Sequence, residues 1–518
     1  MKDVEGVKKL QTRQLNFLYL LLLIAYIPML FLGLTDYDEG AFAATSLQML
    51  RDGQYFVPLL GEELRLEKPI LSYWIQSLFL AIFGNNEFAL RLPSVISAVA
   101  WGYVFADFIQ KCDPNIRNKN QVLTLFLLPG FFLISSVATA DAFLNLFITL
   151  SLISLYKFTI NQEQKYLNST AIFIGIGFLI KGFAIIAIAG PVFLIYCLLS
   201  NKKILFLKAA ISSAAWIRFL LIVCPWFVVL YLRTDIGSIQ YLLLGQSFGR
   251  FSEAMENHSG NYYYYFVVLP FLIFPFLGNF LLPLKKLLNL RKSHEKFLFI
   301  WFLWVFIFFT FSSTKLPHYL IYGLTPLAYF IEKSFQISSQ AVYKFGSLLF
   351  DVICILLLFI FPYIIIYVAD LNPTYELSVQ YFENFIEEMT PPILLFVLFA
   401  ILIFQFINKI RYVFVKKFFA ASLLCYLSFF LLPLIIDSSQ KDLKVLSKYL
   451  KQNDLPLVVY KINKPTSSFY SGKPYIRDKV EGEVLLTRKD KLVHLNQKYK
   501  VMKESGNYLI VFIENEDS

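Results

Sequence analysis

Charge is what this 518-residue chain has least of: 16% of its residues are Asp, Glu, Lys or Arg, where a soluble domain carries about a quarter. With 57% of residues hydrophobic, there is too little polar material to clothe a water-facing surface. Cysteine is equally sparse. The five present (Cys112, Cys197, Cys224, Cys354 and Cys425) lie in or beside apolar runs and form no CxxC spacing, which argues against a disulfide framework, a thiol nucleophile and a cysteine metal knuckle. Alternation over about 10 residues is missing, so the chain does not read as a transmembrane β-barrel. Neither an internal repeat nor a low-complexity tract is found.

What the chain has in abundance is apolar runs of about 20 residues, each long enough to cross a roughly 30 Å hydrocarbon core. In lipid the backbone must satisfy its own hydrogen bonds, so these runs are expected to be helices. They fall near 15–34, 88–110, 122–138, 142–160, 168–181, 183–200, 209–232, 263–284, 297–313, 318–332, 346–368, 391–409 and 417–436, about thirteen spans. The net charge of +11 is concentrated in alternate short loops, such as Lys202, Lys203 and Lys208, or Lys285, Lys286, Arg291, Lys292 and Lys296. Thirteen spans put all these clusters on one side, the cytoplasm, as the positive-inside rule requires. The basic excess therefore reads as a topology signal and not as a nucleic-acid surface. The lysines before the first run resemble a signal peptide, but the run is long and has no small-residue cleavage site, so it reads as an uncleaved first span.

Three longer segments then lie on the opposite side: 35–87, 233–262 and everything after about 437. In the first, DEGAFAATSLQMLRDG reads as a helix with acids in its first turn and a stop at Gly53. Its apolar Phe42, Leu47 and Leu50 suggest that it lies along the membrane surface. PILSYWIQSLFLAIFG follows, opening at Pro69, and is placed in the interface. After 437 charged residues return with short β-rich runs (PLVVYKI, GEVLLTR, NYLIVFIE), the signature of a small α/β domain. The expected organisation is a membrane domain over 1–436 and an extracytoplasmic α/β domain over 437–518.

The polar residues of these outer segments are the candidates for chemistry. Asp36, Asp38 and Glu39 follow the first span directly; carboxylates there can act as general base or metal ligand, though acids also begin helices because they complement the dipole. In Glu67-Lys68-Pro69 the lysine ammonium suits a phosphate. Asp141 and Lys181 fall at the ends of apolar runs, where ionisable groups are costly and often functional; the plainer readings are a helix cap for Asp141 and snorkelling for Lys181. Arg250 and His258 in the second outer segment suit an anion or a leaving hydroxyl, whereas the YYYY run from Tyr262 matches an interfacial aromatic belt. Lys315, His318 and Tyr319 share a short loop on the same side. Acids and cations from several segments thus converge on one face, an arrangement suited to a phosphate-bearing lipid and a hydroxyl acceptor.

In order along the chain, TDYDEG, LRDGQYFVPLL, LEKPILSYW and FGNNEFALRLPS resemble the opening of the bacterial aminoarabinose transferases and related mannosyltransferase-like enzymes. There a DE(A/T)RY helix precedes an EKPP or EKPI element and an FG-x-x-x-FAxR-xPS stretch. Later elements keep the family's order: Thr139-Ala140-Asp141, Leu179 to Gly182 (LxKG), the PW…GxxxxRF…H…YY loop, and Lys315 to Tyr319 (KLPxY). Each piece alone is unspecific; the combination, over most of residues 15–330, is not. Two departures stand out. The family's arginine and tyrosine in DE(A/T)RY are Ala41 and Phe42 here, and the LP that often follows KLPxY is Ile321-Tyr322.

The resemblance implies an all-α polytopic GT-C fold using a polyprenyl-phosphate-linked sugar donor outside the bacterial inner membrane. Asp38 then matches the catalytic carboxylate and Asp141 a second acid, while Lys68, with Arg250 and Lys315, is expected at the donor phosphate. Glu39, Glu67, Lys181, His258 and Tyr319 are expected to line the cavity. Cofactor needs are not specified; Asp38 and His258 are the candidate ligands for a divalent cation. The expected acceptor is an envelope lipid, such as a lipid A-like molecule, or a glycan. The main rival is protein O-glycosylation by the same fold. A transporter, which tends to show repeats and broken helices in matching positions, leaves the acidic first loop unexplained.

Overall fold

The computed structural model describes residues 2–245, 260–337, 341–371, 377–388, 412–479 and 484–514. The chain is a mostly helical, multi-pass membrane protein with a small C-terminal sheet. Among the described residues seven helices are long and apolar enough to cross a membrane by length and composition: Thr12–Met29, Glu87–Cys112, Asp141–Asn161, Ser213–Arg233, Ser293–Phe311, Tyr343–Ala369 and Tyr412–Gln452.

The long helices start and pack for local reasons. In α4 (Glu87–Cys112) the Asn86 side chain accepts from the Ala89 amide at 2.9 Å, satisfying one of the open donors at the helix start. Trp101, Phe105 and Ile109 recur every fourth residue of α4 and are fully buried, the spacing that keeps side chains on one helical face. The Trp101 indole donates to Thr325 Oγ1 at 3.0 Å, so even this buried ring has its polar atom satisfied.

Several expected spans are divided. The 122–138 run forms α5 (Asn118–Phe126) and α6 (Pro129–Ser135), because Pro129 has no N–H with which to continue the first helix and opens the second. The 263–284 run forms Tyr264–Ile273, Leu277–Leu281 and Leu284–Leu287, with Pro275 and Pro283 at the two breaks. The 318–332 run begins as a 3-10 turn, Pro317–Gly323, before the Leu324–Ile337 helix. The 391–409 run lies outside the described residues. Between α8 (Gln164–Lys181) and α9 (Ala184–Leu199) the chain turns at Gly182, with φ +60°, a conformation that favours glycine.

The first loop forms the expected helix, α2 (Asp38–Asp52), ending at Gly53 with φ +66°. α3 (Leu71–Phe83) follows, beginning two residues after Pro69. The surroundings of α2 differ from expectation. Leu47 and Leu50 pack with Leu34, Ala43, Leu80, Phe469 and Tyr470, and Phe42 stacks on Tyr73 at 5.1 Å. Its apolar face is covered by α3 and by the C-terminal segment, not by a membrane surface. The cover calls for glycine at position 40: a Cβ there would come within 2.3 Å of Asp36 Oδ1 and 2.8 Å of the Thr466 amide.

A continuous helix crosses residue 437. The Leu432–Gln452 helix continues from the Tyr412–Tyr426 helix through a π turn. It lays Leu443, Leu446 and Leu450 against Val459, Leu486 and Ile510 of the sheet. The five strands run in the order Ile476–Arg477, Val458–Val459, Val484–Arg488, Tyr508–Ile513, Tyr499–Ser505. The first two pairings are parallel and the last two antiparallel.

Candidate active site

Asp38 is the first residue of α2, and its carboxylate senses the charges of Lys68, His318, Lys181 and Asp141. It is solvent-accessible yet densely surrounded by protein. That crowding alone would raise its pKa, but Lys68, with His318 and Lys181, outweighs it and holds the carboxyl below its usual range, Asp141 opposing them. Lys68 precedes Pro69, which disfavours a helical backbone at the lysine and keeps it off α3. Lys68 is buried and lines, with Glu67, Lys181, Tyr319 and Tyr322, an open cavity. The rest of the lining is largely apolar, including Phe183, Ala187, Leu242 and Phe308.

Asp141 begins α7 (Asp141–Asn161) without capping it. Its Oδ1 receives Lys181 Nζ at 2.6 Å and the Tyr322 hydroxyl at 2.5 Å, and its Oδ2 the Thr139 hydroxyl at 3.2 Å. Lys181 therefore does not snorkel: it turns inward from the end of α8, also donates to Tyr322 Oη at 2.8 Å, and lies over the rings of Tyr319 and Tyr322. Glu67 pairs with Arg65 at 3.5 Å. Arg65 itself is buried beside the rings of Tyr37 and Phe42 and donates to the hydroxyls of Tyr37 and Tyr73, so the guanidinium next to Phe42 comes from this loop, α2 having Ala41.

Two expected site residues are used elsewhere. Glu39 is 2% exposed and turned into the protein, where Arg91 donates to it bidentately at 2.9 Å and 2.9 Å. The Ala138 amide, the Thr35 amide and the Thr35 hydroxyl complete its acceptor set. Lys315 directs its ammonium to the carbonyls of Phe309 (3.1 Å), Thr310 (2.5 Å) and Ser312 (2.6 Å), closing the C-terminal end of the Ser293–Phe311 helix. Burial pushes its pKa down. Arg250 and His258 lie outside the described residues, and with His258 the pairing expected to hold a cation with Asp38. Among the described residues the one group of three with metal-ligand spacing is Asp113, His294 and Glu295, beyond the far end of α4.

Glu67, Lys68, Lys181 and Tyr319 thus line one cavity, with Asp141 bonded to Lys181 behind it and Asp38 within electrostatic reach of Lys68 and Lys181. The structure adds two residues that were given no site role from the sequence: His318, whose charge bears on Asp38, and Tyr322, which lines the cavity and bonds to Asp141.

Residues 67–229 match the family of dolichyl-phosphate-mannose-protein mannosyltransferases. The chain is 28% identical over 325 residues to the undecaprenyl phosphate-alpha-4-amino-4-deoxy-L-arabinose arabinosyl transferase of Wigglesworthia glossinidia brevipalpis, covering 61% of this chain and 57% of the relative. It is 28% identical over 340 residues to the transferase of that name from Yersinia pestis (strain Pestoides F), covering 62% and 60%. The matched part therefore spans under two thirds of these relatives' length. In fold, the chain is similar to ArnT from Cupriavidus metallidurans bound to undecaprenyl phosphate, with a TM-score of 0.81 at 16% identity over 96% of this chain and 97% of the other.

Proposed function

We infer, from a chain similar in sequence to aminoarabinose transferases and mannosyltransferase-like proteins and in fold to ArnT, that it transfers a sugar from a polyprenyl-phosphate donor to an envelope acceptor. The observation that carries this reading is the cavity itself: cationic Lys68 and Lys181 stand beside a mostly apolar lining. A phosphate with a long isoprenoid tail has that division of character. The fold of a neighbour that is bound to undecaprenyl phosphate agrees with it.

In the proposed reaction Asp38 takes the proton of the acceptor hydroxyl as its oxygen forms the new bond to the sugar's anomeric carbon. The bond from that carbon to the phosphate oxygen breaks, and polyprenyl phosphate leaves with the electron pair. Attack from the face opposite the phosphate inverts the anomeric centre. Lys68, beside Lys181, stabilises the charge that grows on the leaving phosphate. Asp141 holds Lys181 in place for this. We place the cavity and the C-terminal sheet outside the cytoplasmic membrane of a bacterium, on a topology of about thirteen spans, with 1–436 as the catalytic domain and 437–518 as the outer one.

The test is release of polyprenyl phosphate from a polyprenyl-phosphate sugar by the purified chain in lipid nanodiscs. Mass spectrometry of envelope lipids, glycans and proteins from cells lacking the gene would identify the acceptor. A protein that neither binds polyprenyl phosphate nor consumes the donor would refute the reading. Reporter fusions after Lys292 and Asp437 should report the cytoplasm and the outside respectively; the reverse pattern would overturn the placement of the cavity.

A further inference from the structure

Tyr322 stands where the resembling family often carries a proline. Here its phenol is the central member of a three-residue chain. Tyr322 Oη donates to Asp141 Oδ1 at 2.5 Å and accepts from Lys181 Nζ at 2.8 Å, while Lys181 reaches the same Asp141 oxygen at 2.6 Å. Tyr322 is 1% exposed and Asp141 5%. A buried carboxylate that loses its donors is strongly disfavoured, so the number of donors on Asp141 decides how freely any one of them can leave.

An ammonium has three N–H groups. Two of those on Lys181 are directed to Asp141 and Tyr322, and the side chain lines the cavity beside Lys68. With Asp141 as its one strong partner, Lys181 would be fixed there. With the phenol already donating to the same oxygen, Lys181 can lean toward an anion in the cavity while Asp141 keeps the Tyr322 and Thr139 hydroxyls.

We propose that Tyr322 is a positioning residue that lets Lys181 be shared between Asp141 and the phosphate of a polyprenyl-phosphate ligand. The proposal rests on the donor class proposed above. The hydroxyl is separable from the fold of its turn: the Tyr322 carbonyl accepts from the Trp301 indole at 2.8 Å, and the ring packs against Phe309 and Tyr319. Tyr322→Phe keeps all of these contacts.

The experiment measures binding of undecaprenyl phosphate and of undecaprenol, which shares its tail, to the full-length protein in nanodiscs, with the thermal midpoint as a fold control. Tyr322→Phe is expected to weaken the phosphate about tenfold, the scale of one hydrogen bond to a charged group. Undecaprenol affinity and the thermal midpoint should hold. In a Lys181→Met background the same substitution should change phosphate binding no further. Should that background not fold, the comparison of the two lipids on Tyr322→Phe alone decides. Unchanged phosphate affinity in Tyr322→Phe, or an equal loss for undecaprenol, overturns the positioning role. If wild type binds both lipids alike, the donor class fails, and this inference with it.

Discussion

The two ends of the helical bundle are both rich in buried charge, but among the described residues it is the lysines of one end, Lys68 and Lys181, that line a cavity. α4 connects them: Arg91 lies near its start and Asp113 just past its end, roughly 33 Å apart at 1.5 Å per residue. At the Asp113 end every named acid has a cation: Lys292 on Asp113 at 2.8 Å, Lys333 on Glu295 at 2.7 Å, Lys417 on Glu332 and Lys416 on Asp351. The Tyr329 hydroxyl sits among His294, Asp113 and Glu295. That centre is closed by its own ion pairs, and its two lysines already supply the positive charge a metal would bring. At the Asp38 end, Lys68 and Lys181 line an open cavity. Buried charge alone therefore does not mark a site; charge arranged around space does. Buried pairs of the first kind cost several kcal/mol to break while adding little over an apolar replacement.

The sharpest way to break this comparison is to neutralise one acid at each end. Asp38→Asn should lower turnover by roughly 10²–10⁴-fold, the usual contribution of a positioned base, while α2 survives because Tyr37, not Asp38, is its N-cap. Asp113→Asn should leave turnover per folded molecule near wild type and lower the thermal midpoint. Equal losses of turnover in the two variants would erase the distinction between the ends.

Glu39 sharpens the contrast within a single turn of helix. It is adjacent to Asp38 in sequence but answers to Arg91 from inside the protein. Glu39→Gln leaves a buried guanidinium without its counter-charge and is expected to cost roughly 3–5 kcal/mol of stability, read as a lower unfolding midpoint in detergent. Turnover per folded molecule should change far less than in Asp38→Asn. A stable Glu39→Gln with turnover lost would move Glu39 to the reacting groups.

These two neighbours show what the sequence could and could not reveal. Composition and run length made the helical membrane class legible, and the order of DEG, EKP, TDA, LxKG and KLPxY pointed to one face. Side-chain direction was not legible. Asp38 and Glu39 are equivalent in a helical-start argument, and only the position of Arg91, 52 residues later, separates them. Lys315 looked like a phosphate ligand because it is a lysine on a cation-poor side, yet its target is its own helix end. The breaks at 129 and 275 fall at prolines, but a hydropathy window averages over them. The cover on α2 was hidden for another reason: Phe469 and Tyr470 reach it from more than 400 residues away.

A smaller effect separates the two cationic partners of the cavity acids. Lys68 is the cation that does most to hold the Asp38 carboxyl below its usual range. In wild type the acid limb of the rate profile should therefore lie below the ordinary aspartate value of about 3.9. Lys68→Met removes a cation that stabilises the carboxylate, so that limb should move to higher pH, together with weaker donor binding. An acid limb unmoved in Lys68→Met would mean that Lys68 and Asp38 do not act on one another.

The smallest expected effect compares Asp38 with Asp36, two residues away and turned toward the C-terminal segment. Asp36 accepts from the Thr466 amide at 3.0 Å and the Thr466 hydroxyl at 2.6 Å. Burial nonetheless dominates, outweighing Lys464 and these bonds, and pushes its pKa up to about 6. The unfolded value is about 3.9, so between the two the folded protein holds a proton that the unfolded chain has lost. Stability is then greatest below about pH 4, falls as pH rises toward 6, and levels off above it. Because the side chain is in part solvent-accessible, the change should be roughly 1–3 kcal/mol at most. Asp36→Asn cannot ionise, so its thermal midpoint should lose this component of the slope between pH 4 and 7. The Asp38→Asn variant should show the opposite sign, losing a component that favours the folded state above pH 4. If both variants kept the wild-type slope, the docking of the C-terminal segment on the first loop would be indifferent to the charge of Asp36.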